Sequence, residues 1–220
     1  LAQAAIAAGA RIMTGSPVSA IAPSGTSWTV RAPTGTVCAD WVVVATNAYS
    51  HTPWPEIRAQ LVHLPYFNVA TEPLPPELRA SILPERHGAW DTKEVLTSFR
   101  FDRQGHLVFG SVGALRGTGT AVHRDWARRA LRKLFPQLRD VGFVAEWYGT
   151  IGMTDNHLPR FHKLARNVIG FCGYNGRGIA PGTVFGRVTA QLITGAIAEA
   201  DLPLPVTEPS AAGLRGLKEL

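Results

Sequence analysis

The stretch of this 220-residue chain best suited to chemistry is Gly170-Phe171-Cys172-Gly173-Tyr174-Asn175-Gly176-Arg177-Gly178-Ile179-Ala180. It reads as a short buried strand, led in by Asn167-Val168-Ile169, then a glycine-rich turn and a helix. From Thr183 to Ile193 the apolar residues recur three and four apart. The first N–H groups of a helix lack intrahelical partners, and the helix dipole adds partial positive charge there. A glycine-lined helix start therefore suits a phosphate, a carboxylate or an electron-rich ring. A plain strand-turn-helix needs only one of these glycines.

A second segment, Ala39-Asp40-Trp41-Val42-Val43-Val44-Ala45-Thr46-Asn47-Ala48-Tyr49-Ser50, is an apolar strand ending in small and polar residues before a short helix. In open α/β sheets ligands gather beyond the carboxyl ends of the strands. Ala45 and Ala48 permit close backbone approach. Thr46 and Asn47 can either cap the helix or donate to phosphate oxygens.

The elements that must position these turns follow from the breakers. Leu1 to Ala10 reads as a helix, Arg11 to Ile21 as a strand, and Ser27–Arg31 with Thr36–Ala39 as a hairpin whose turns carry Gly25, Pro33 and Gly35. Pro53 and Pro55 open a different region. Leu61 to Thr71 is a long strand ended by Pro73, Pro75 and Pro76. Val95–Arg100 and Leu107–Ser111 are strands joined through Asp102-Arg103-Gln104-Gly105. His123 to Leu134 makes an amphipathic helix with Trp126, Ala130, Leu131 and Leu134 on one face and Arg124, Arg128 and Arg132 on another. Val141 to Gly149 alternates as a strand with one solvated face.

These segments, in this order, resemble the flavin-dependent oxidoreductases of the D-amino-acid-oxidase type, nearest to the γ-glutamylputrescine oxidase branch. The resemblance is carried by Ala45-Thr46-Asn47-Ala48-Tyr49, Gly105-His106-Leu107-Val108-Phe109-Gly110, Gly149-Thr150-Ile151-Gly152-Met153-Thr154-Asp155-Asn156-His157-Leu158-Pro159-Arg160 and Gly173-Tyr174-Asn175-Gly176-Arg177-Gly178. It runs from near residue 1 to about residue 197. Such enzymes open with a Gly-x-Gly-x-x-Gly turn that seats the FAD pyrophosphate. No such motif occurs here before residue 170, so the expectation is the C-terminal portion of a larger enzyme.

The resemblance implies an α/β (α+β) fold: an incomplete FAD-binding Rossmann-like domain with an inserted antiparallel β-sheet substrate domain. The expected division is 1–52 and 151–202 for the FAD-binding domain, 53–150 for the inserted domain, and 203–220 as a loose tail. It implies FAD as cofactor and a small-molecule amine or amino acid as substrate, oxidised to an imine. By the same resemblance Val18 contacts adenine through its backbone or is simply a core valine. Ala45, Thr46 and Asn47 lie near the diphosphate or ribose. Gly173, Asn175, Gly176, Arg177, Gly178 and Ile179 line the flavin. Arg100, in Phe99-Arg100-Phe101, holds a substrate carboxylate if it points inward and is a surface arginine if it points outward. Tyr148 and Tyr174 cover the substrate or pack. Some oxidases of this group keep a lysine near the flavin for oxygen; Val108 stands at that place here, leaving oxidase against dehydrogenase open. The alternative to a competent enzyme is a non-catalytic remnant, or one half of a split flavoprotein with a separate N-terminal segment.

Composition narrows the remaining classes. The chain is 45% hydrophobic and 17% charged, ordinary for a globular protein. No apolar run is long enough to span a bilayer, so no membrane partner is expected. Cys38 and Cys172, in apolar strand-like contexts, read as buried free thiols rather than a disulfide, and the expected setting is cytoplasmic. No His/Cys/Asp cluster has metal spacing. The net charge of +6 is concentrated on the basic helix. Without aromatic-basic interleaving it reads as a solvated face, and nucleic acid is not an expected partner.

Overall fold

The computed structural model describes residues 1–93, 95–213 and 219. Along the chain run helix α1 (Ala2–Ala7), strands β1 (Ala20–Ser24), β2 (Ser27–Ala32), β3 (Gly35–Ala39) and β4 (Val42–Val44), helix α2 (Pro55–Ala59), strand β5 (Val62–Pro73) and helix α3 (Pro76–Ile82). Strands β6 (Ala89–Trp90), β7 (Thr97–Phe101) and β8 (His106–Val112) follow, then helix α4 (Thr118–Leu134) and strands β9 (Phe143–Met153), β10 (Arg160–Ala165) and β11 (Val168–Cys172). Helix α5 (Ile179–Ile193) and strand β12 (Val206–Thr207) complete the order. The chain divides into two compact units, Leu1–Leu61 with Thr154–Arg215 and Val62–Met153 with Gly216–Leu220.

The first unit holds a three-stranded antiparallel meander, β1-β2-β3, and a four-stranded sheet in the order β12-β10-β11-β4. β10 and β11 are antiparallel, while β11 runs parallel to β4 and β10 parallel to β12. One face packs Phe161, Ile169, Phe171 and Phe185, the last from α5. The other packs Val44, Val168 and Cys172 against Ile57 of α2 and Leu61.

In the second unit the sheet order is β6-β7-β8-β5-β9, antiparallel where its register is set. Alternation along β5 and β8 sends Phe67, Val69, Leu107 and Phe109 to one face. There α4 covers them: Trp126 sits edge-on to Phe67 with centroids 6.1 Å apart and lies 6.0 Å from Phe109. The β7–β8 hairpin closes through Asp102, whose Oδ1 accepts from the N–H groups of Gln104 (2.9 Å) and His106 (3.0 Å).

Several expectations need correction. Arg11 to Met13 is exposed and outside any strand; β1 starts only at Ala20. An extended segment with no neighbour has no ladder to satisfy its backbone. The buried stripe of α4 centres on Ala127 and Leu131, while Leu134 is exposed. Cys38 is exposed on β3, and only Cys172 is buried. After Leu202 the chain is not wholly loose, because Leu204 and Val206 join the Phe161 core and β12 pairs with β10.

Candidate functional site

β4 and β11 are direct parallel neighbours, with Val42, Val43 and Val44 opposite Val168, Ile169 and Gly170. Their carboxyl ends therefore point the same way, and the two turns singled out from sequence emerge side by side. A hydrogen bond joins them: Gly173 N–H donates to Asn47 Oδ1 at 2.8 Å. Asn47 has a left-handed backbone, φ 45°, which asparagine tolerates better than most residues. It opens a single 3₁₀ turn, Asn47–Tyr49, in which its backbone carbonyl accepts from Ser50 N–H, while its side-chain oxygen organises the neighbouring loop. Thr46 Oγ1 lies 2.6 Å from Ser50 Oγ, and both Ala45 and Thr46 are exposed at the strand end.

The glycine turn is stapled from a second side. Asn175, φ 52°, accepts from Thr154 N–H at 2.8 Å through Oδ1. Its Nδ2 donates to Thr154 Oγ1 at 3.1 Å and to the Gly173 carbonyl. Thr154 Oγ1 in turn donates to Leu158 O at 2.9 Å. Gly173 is required here twice over. Its φ is +75°, and an added Cβ would stand 2.3 Å from Thr154 Cγ2. Sequence reasoning placed Thr154 inside a family-like segment without giving it a role. The signal available was a short polar side chain next to Asp155 and Asn156, which is turn chemistry.

Beyond the staple, Gly176 has φ +79° and is exposed, as are Arg177 and Ile179, the latter at 83%. Gly178 precedes α5 with no side-chain cap, and Gly182 N–H, bonded to Gly178 O at 2.9 Å, closes the first turn. Pro181 has no N–H to satisfy. The start of α5 thus presents uncapped donors on an open, glycine-bordered surface. That donor set fits the electron-rich pyrimidine edge of a flavin, where negative charge accumulates on reduction. Gly178, Ile179 and the Gly173–Gly176 backbone are the residues that would hold it. Val18, offered as an adenine contact or a core valine, is 40% exposed and is not core.

Tyr174 and Cys172 face inward. The Tyr174 ring lies 6.0 Å from Phe185 and beside Gly178, and burial pushes its phenol above the usual range. Burial likewise pushes the Cys172 thiol up to about 12, so it is not a thiolate nucleophile. His162, buried on β10, has Nδ1 2.8 Å from Thr207 O and Nε2 3.0 Å from Gln60 Oε1. Burial holds it below the usual histidine range, so it is a structural tie between β10, β12 and the end of α2.

In the inserted unit, Arg100 and Tyr148 stand on opposite faces of the sheet. Tyr148 is opposite Phe67, on the side covered by α4. Arg100 is solvent-exposed, opposite Val108, which is opposite Ala70, on the face turned away from α4. That second face carries one row of Ser98, Gly110, Asn68 and Trp147 in register across β7, β8, β5 and β9. A Cβ on Gly110 would meet Asn68 Oδ1 at 2.6 Å and Tyr66 Cε1 at 2.7 Å, so the glycine lets both side chains lie across the sheet. Tyr66 Oη is 2.8 Å from Ser98 Oγ; burial raises its phenol, and Arg100 works in the opposite direction. Tyr66, Asn68 and Ser98 are polar groups on the Arg100 face that sequence reading missed. Alternation alone does not tell which face of a sheet a helix covers.

Among the described residues no group of three His, Cys, Asp or Glu is placed to hold a metal ion. No helix there is long and apolar enough to cross a membrane.

Comparison with known proteins agrees with this arrangement. Residues 1–192 match the family described as "DAO: FAD dependent oxidoreductase". The chain is 28% identical to a probable oxidoreductase, OrdL, of Haemophilus influenzae, covering all of this chain and 51% of that protein. It is 30% identical over 171 residues to the γ-glutamylputrescine oxidoreductase of Escherichia coli K12, covering 76% of this chain and 39% of the relative. The chain thus spans about half the length of the curated relatives it matches. Among solved structures, glycine oxidase from Geobacillus kaustophilus superposes with TM-score 0.67 at 20% identity, over 88% of this chain and 52% of that one. L-proline dehydrogenase from P. horikoshii does so with TM-score 0.68 at 19% identity, over 92% and 55%. With most of its length inside the family match and both stapled turns at the carboxyl ends of parallel strands, this chain belongs to the DAO family of FAD-dependent oxidoreductases.

Proposed function

We propose that this chain is the C-terminal portion of an enzyme that oxidises an amine or amino acid to an imine. The observation that carries the reading is the Gly173 N–H to Asn47 Oδ1 bond, which locks two small-residue turns beside the uncapped start of α5. FAD, when bound, supplies the acceptor for the hydride that leaves the carbon next to nitrogen, while the nitrogen gives up a proton to solvent. The chain's own part is electrostatic and positional. The α5 N–H groups stabilise negative charge without reorganising, because Asn47, Asn175 and Thr154 already hold the turn. Arg100 anchors a substrate carboxylate, and the mutually bonded Tyr66 and Ser98 hydroxyls leave one neutral donor on the same face. The relative named as a γ-glutamylputrescine oxidoreductase supports an amine substrate that carries a carboxylate. Val108 is buried opposite Arg100, and oxidase against dehydrogenase stays open.

A second reading is one half of a split flavoprotein. β4 is the edge of its sheet, and α1 buries no residue while Ile6, Ile12 and Met13 are exposed. Among the described residues that strand edge is unpaired, and together with the exposed apolar residues of the same unit it suits an added segment bearing a Gly-x-Gly-x-x-Gly turn. The test is a visible spectrum of the purified chain after incubation with FAD and removal of free cofactor. A retained flavin band that bleaches with a carboxylate-bearing amine supports the first reading. Retention only after adding such an N-terminal segment supports the second. No flavin under either condition refutes both.

A further inference from the structure

The basic helix α4 plays no part in the site described above, yet its charges are not evenly paired. Between the C-terminal half of α4, the turn after it and the start of β9 lies a cleft of about 320 Å³. Arg128, Arg132 and Arg139 line it, with Asp140 as its single carboxylate and Leu131, Leu138 and Phe143 as apolar wall. Arg128 and Arg132 are four residues apart, about 6 Å along the axis, where like charges repel.

The other arginines of this helix are neutralised. Arg124 forms a two-pronged pair with Glu146, and Arg129 pairs with Asp125. Among the described residues, neither Arg128 nor Arg132 has a carboxylate in ion-pair range. Both are instead held in place. The Arg128 guanidinium lies 5.8 Å over the Phe143 ring, and Arg132 Nε donates to Arg139 O at 3.0 Å. Arg139 Nε reaches Asp140 Oδ2 at 3.3 Å, leaving its terminal nitrogens uncommitted. The dipole at the C-terminus of α4 accounts for Arg132 and Lys133 in the last turn. It does not account for Arg128, nearly two turns earlier, or for Arg139 beyond the helix.

We propose that this cleft is a binding site for a small multivalent oxyanion, a ligand bearing a diphosphate or several carboxylates, separate from the flavin and substrate groups. Three guanidinium forks around one concavity match oxyanion geometry, and occupancy removes the repulsion between Arg128 and Arg132. The apolar wall favours a compact ligand over an extended polymer, because an extended backbone would need charge continued beyond the cleft.

Calorimetric titration of the full chain with pyrophosphate and, separately, with citrate at low ionic strength tests this. Saturable one-to-one binding of either is expected, the tighter one giving the class of anion. Arg128→Gln/Arg139→Gln should weaken it at least tenfold, while Arg116→Gln/Arg187→Gln, which removes the same charge elsewhere, should not. Thermal melts of both variants separate lost binding from lost folding. No saturable binding of either anion, equal weakening by the control pair, or tighter binding of a single-stranded oligonucleotide would overturn the proposal.

Discussion

Replacing Gly173 by alanine probes the staple that joins the two turns. Two separate costs arise. Alanine at φ +75° occupies the left-handed region, at about 1 kcal/mol. The new Cβ would also stand 2.3 Å from Thr154 Cγ2 and 3.6 Å from Leu61 Cδ2. Thr154 cannot simply turn away. Its hydroxyl is bonded to Leu158 O and its N–H to Asn175 Oδ1, so relief of the clash breaks one of these or moves the backbone. Overpacking of this kind costs about 2 kcal/mol, for a sum of about 3 kcal/mol if the two are independent. Urea unfolding followed by circular dichroism should show the midpoint of the first unit lowered by roughly 1 M. The steric part can be isolated, because Thr154→Ser deletes Cγ2 but keeps the hydroxyl. Gly173→Ala on that background should cost only the residual ~1 kcal/mol of backbone strain. Gly178→Ala is the control: an added Cβ there meets the Tyr174 ring at an ordinary 3.4 Å, and stability should change little. A Gly173→Ala loss under ~1 kcal/mol, or an equal loss on the Thr154→Ser background, would refute the reasoning.

Other consequences are open to measurement. His162 is held below its ordinary value of 6.5 chiefly by burial. The unfolded chain therefore takes up this proton first as pH falls below 6.5, and stability should decline over that window and be steady above it. His162→Gln should flatten that slope in urea midpoints taken between pH 7.5 and 5.5. With its thiol pushed to about 12, Cys172 should resist a thiol reagent that the exposed Cys38 takes up. One equivalent should react in the native protein and two after unfolding; two in the native protein would contradict the burial. Asn175→Ala removes the side chain's bonds to Thr154 and Gly173 at a left-handed position and should cost about 2 kcal/mol, read as a lower melting temperature. Gly110→Ala should displace Tyr66 and Asn68, detectable as a changed phenol titration of Tyr66 in the ultraviolet.

What could be read from sequence was the chemistry-bearing turns, because valine runs ending in small residues and glycines before a 3.6-residue pattern leave few alternatives. The hairpin at Asp102-Arg103-Gln104-Gly105 was legible for the same reason: Asp and Gly there have one turn geometry that uses both. Other elements were hidden by residues with two meanings. Pro55 and Pro76 read as breakers, yet each begins a short helix, where a missing N–H costs nothing. β10 carries His162 on its inner side, so the buried pattern of Arg160–Ala165 is masked by a polar residue whose partners, Thr207 and Gln60, are distant in sequence. Sequence alone does not show what Asn47 and Asn175 do structurally: their side-chain carbonyl oxygens accept the backbone N–H groups of Gly173 and Thr154 and so set the loop that a cofactor would meet. Which strands pair decides that, and no local pattern encodes it. The opposite orientations of Arg100 and Tyr148 follow from register for the same reason.

The central claim is that the glycine turn and the start of α5 hold the flavin ring. Amide chemical shifts of the ¹⁵N-labelled chain, mapped during an FAD titration, test it most directly. The account predicts saturable shifts largest at Gly173, Gly176, Gly178 and Ile179, with smaller ones at Thr46 and Asn47. Shifts centred elsewhere, or none at these amides at saturating FAD, would contradict it.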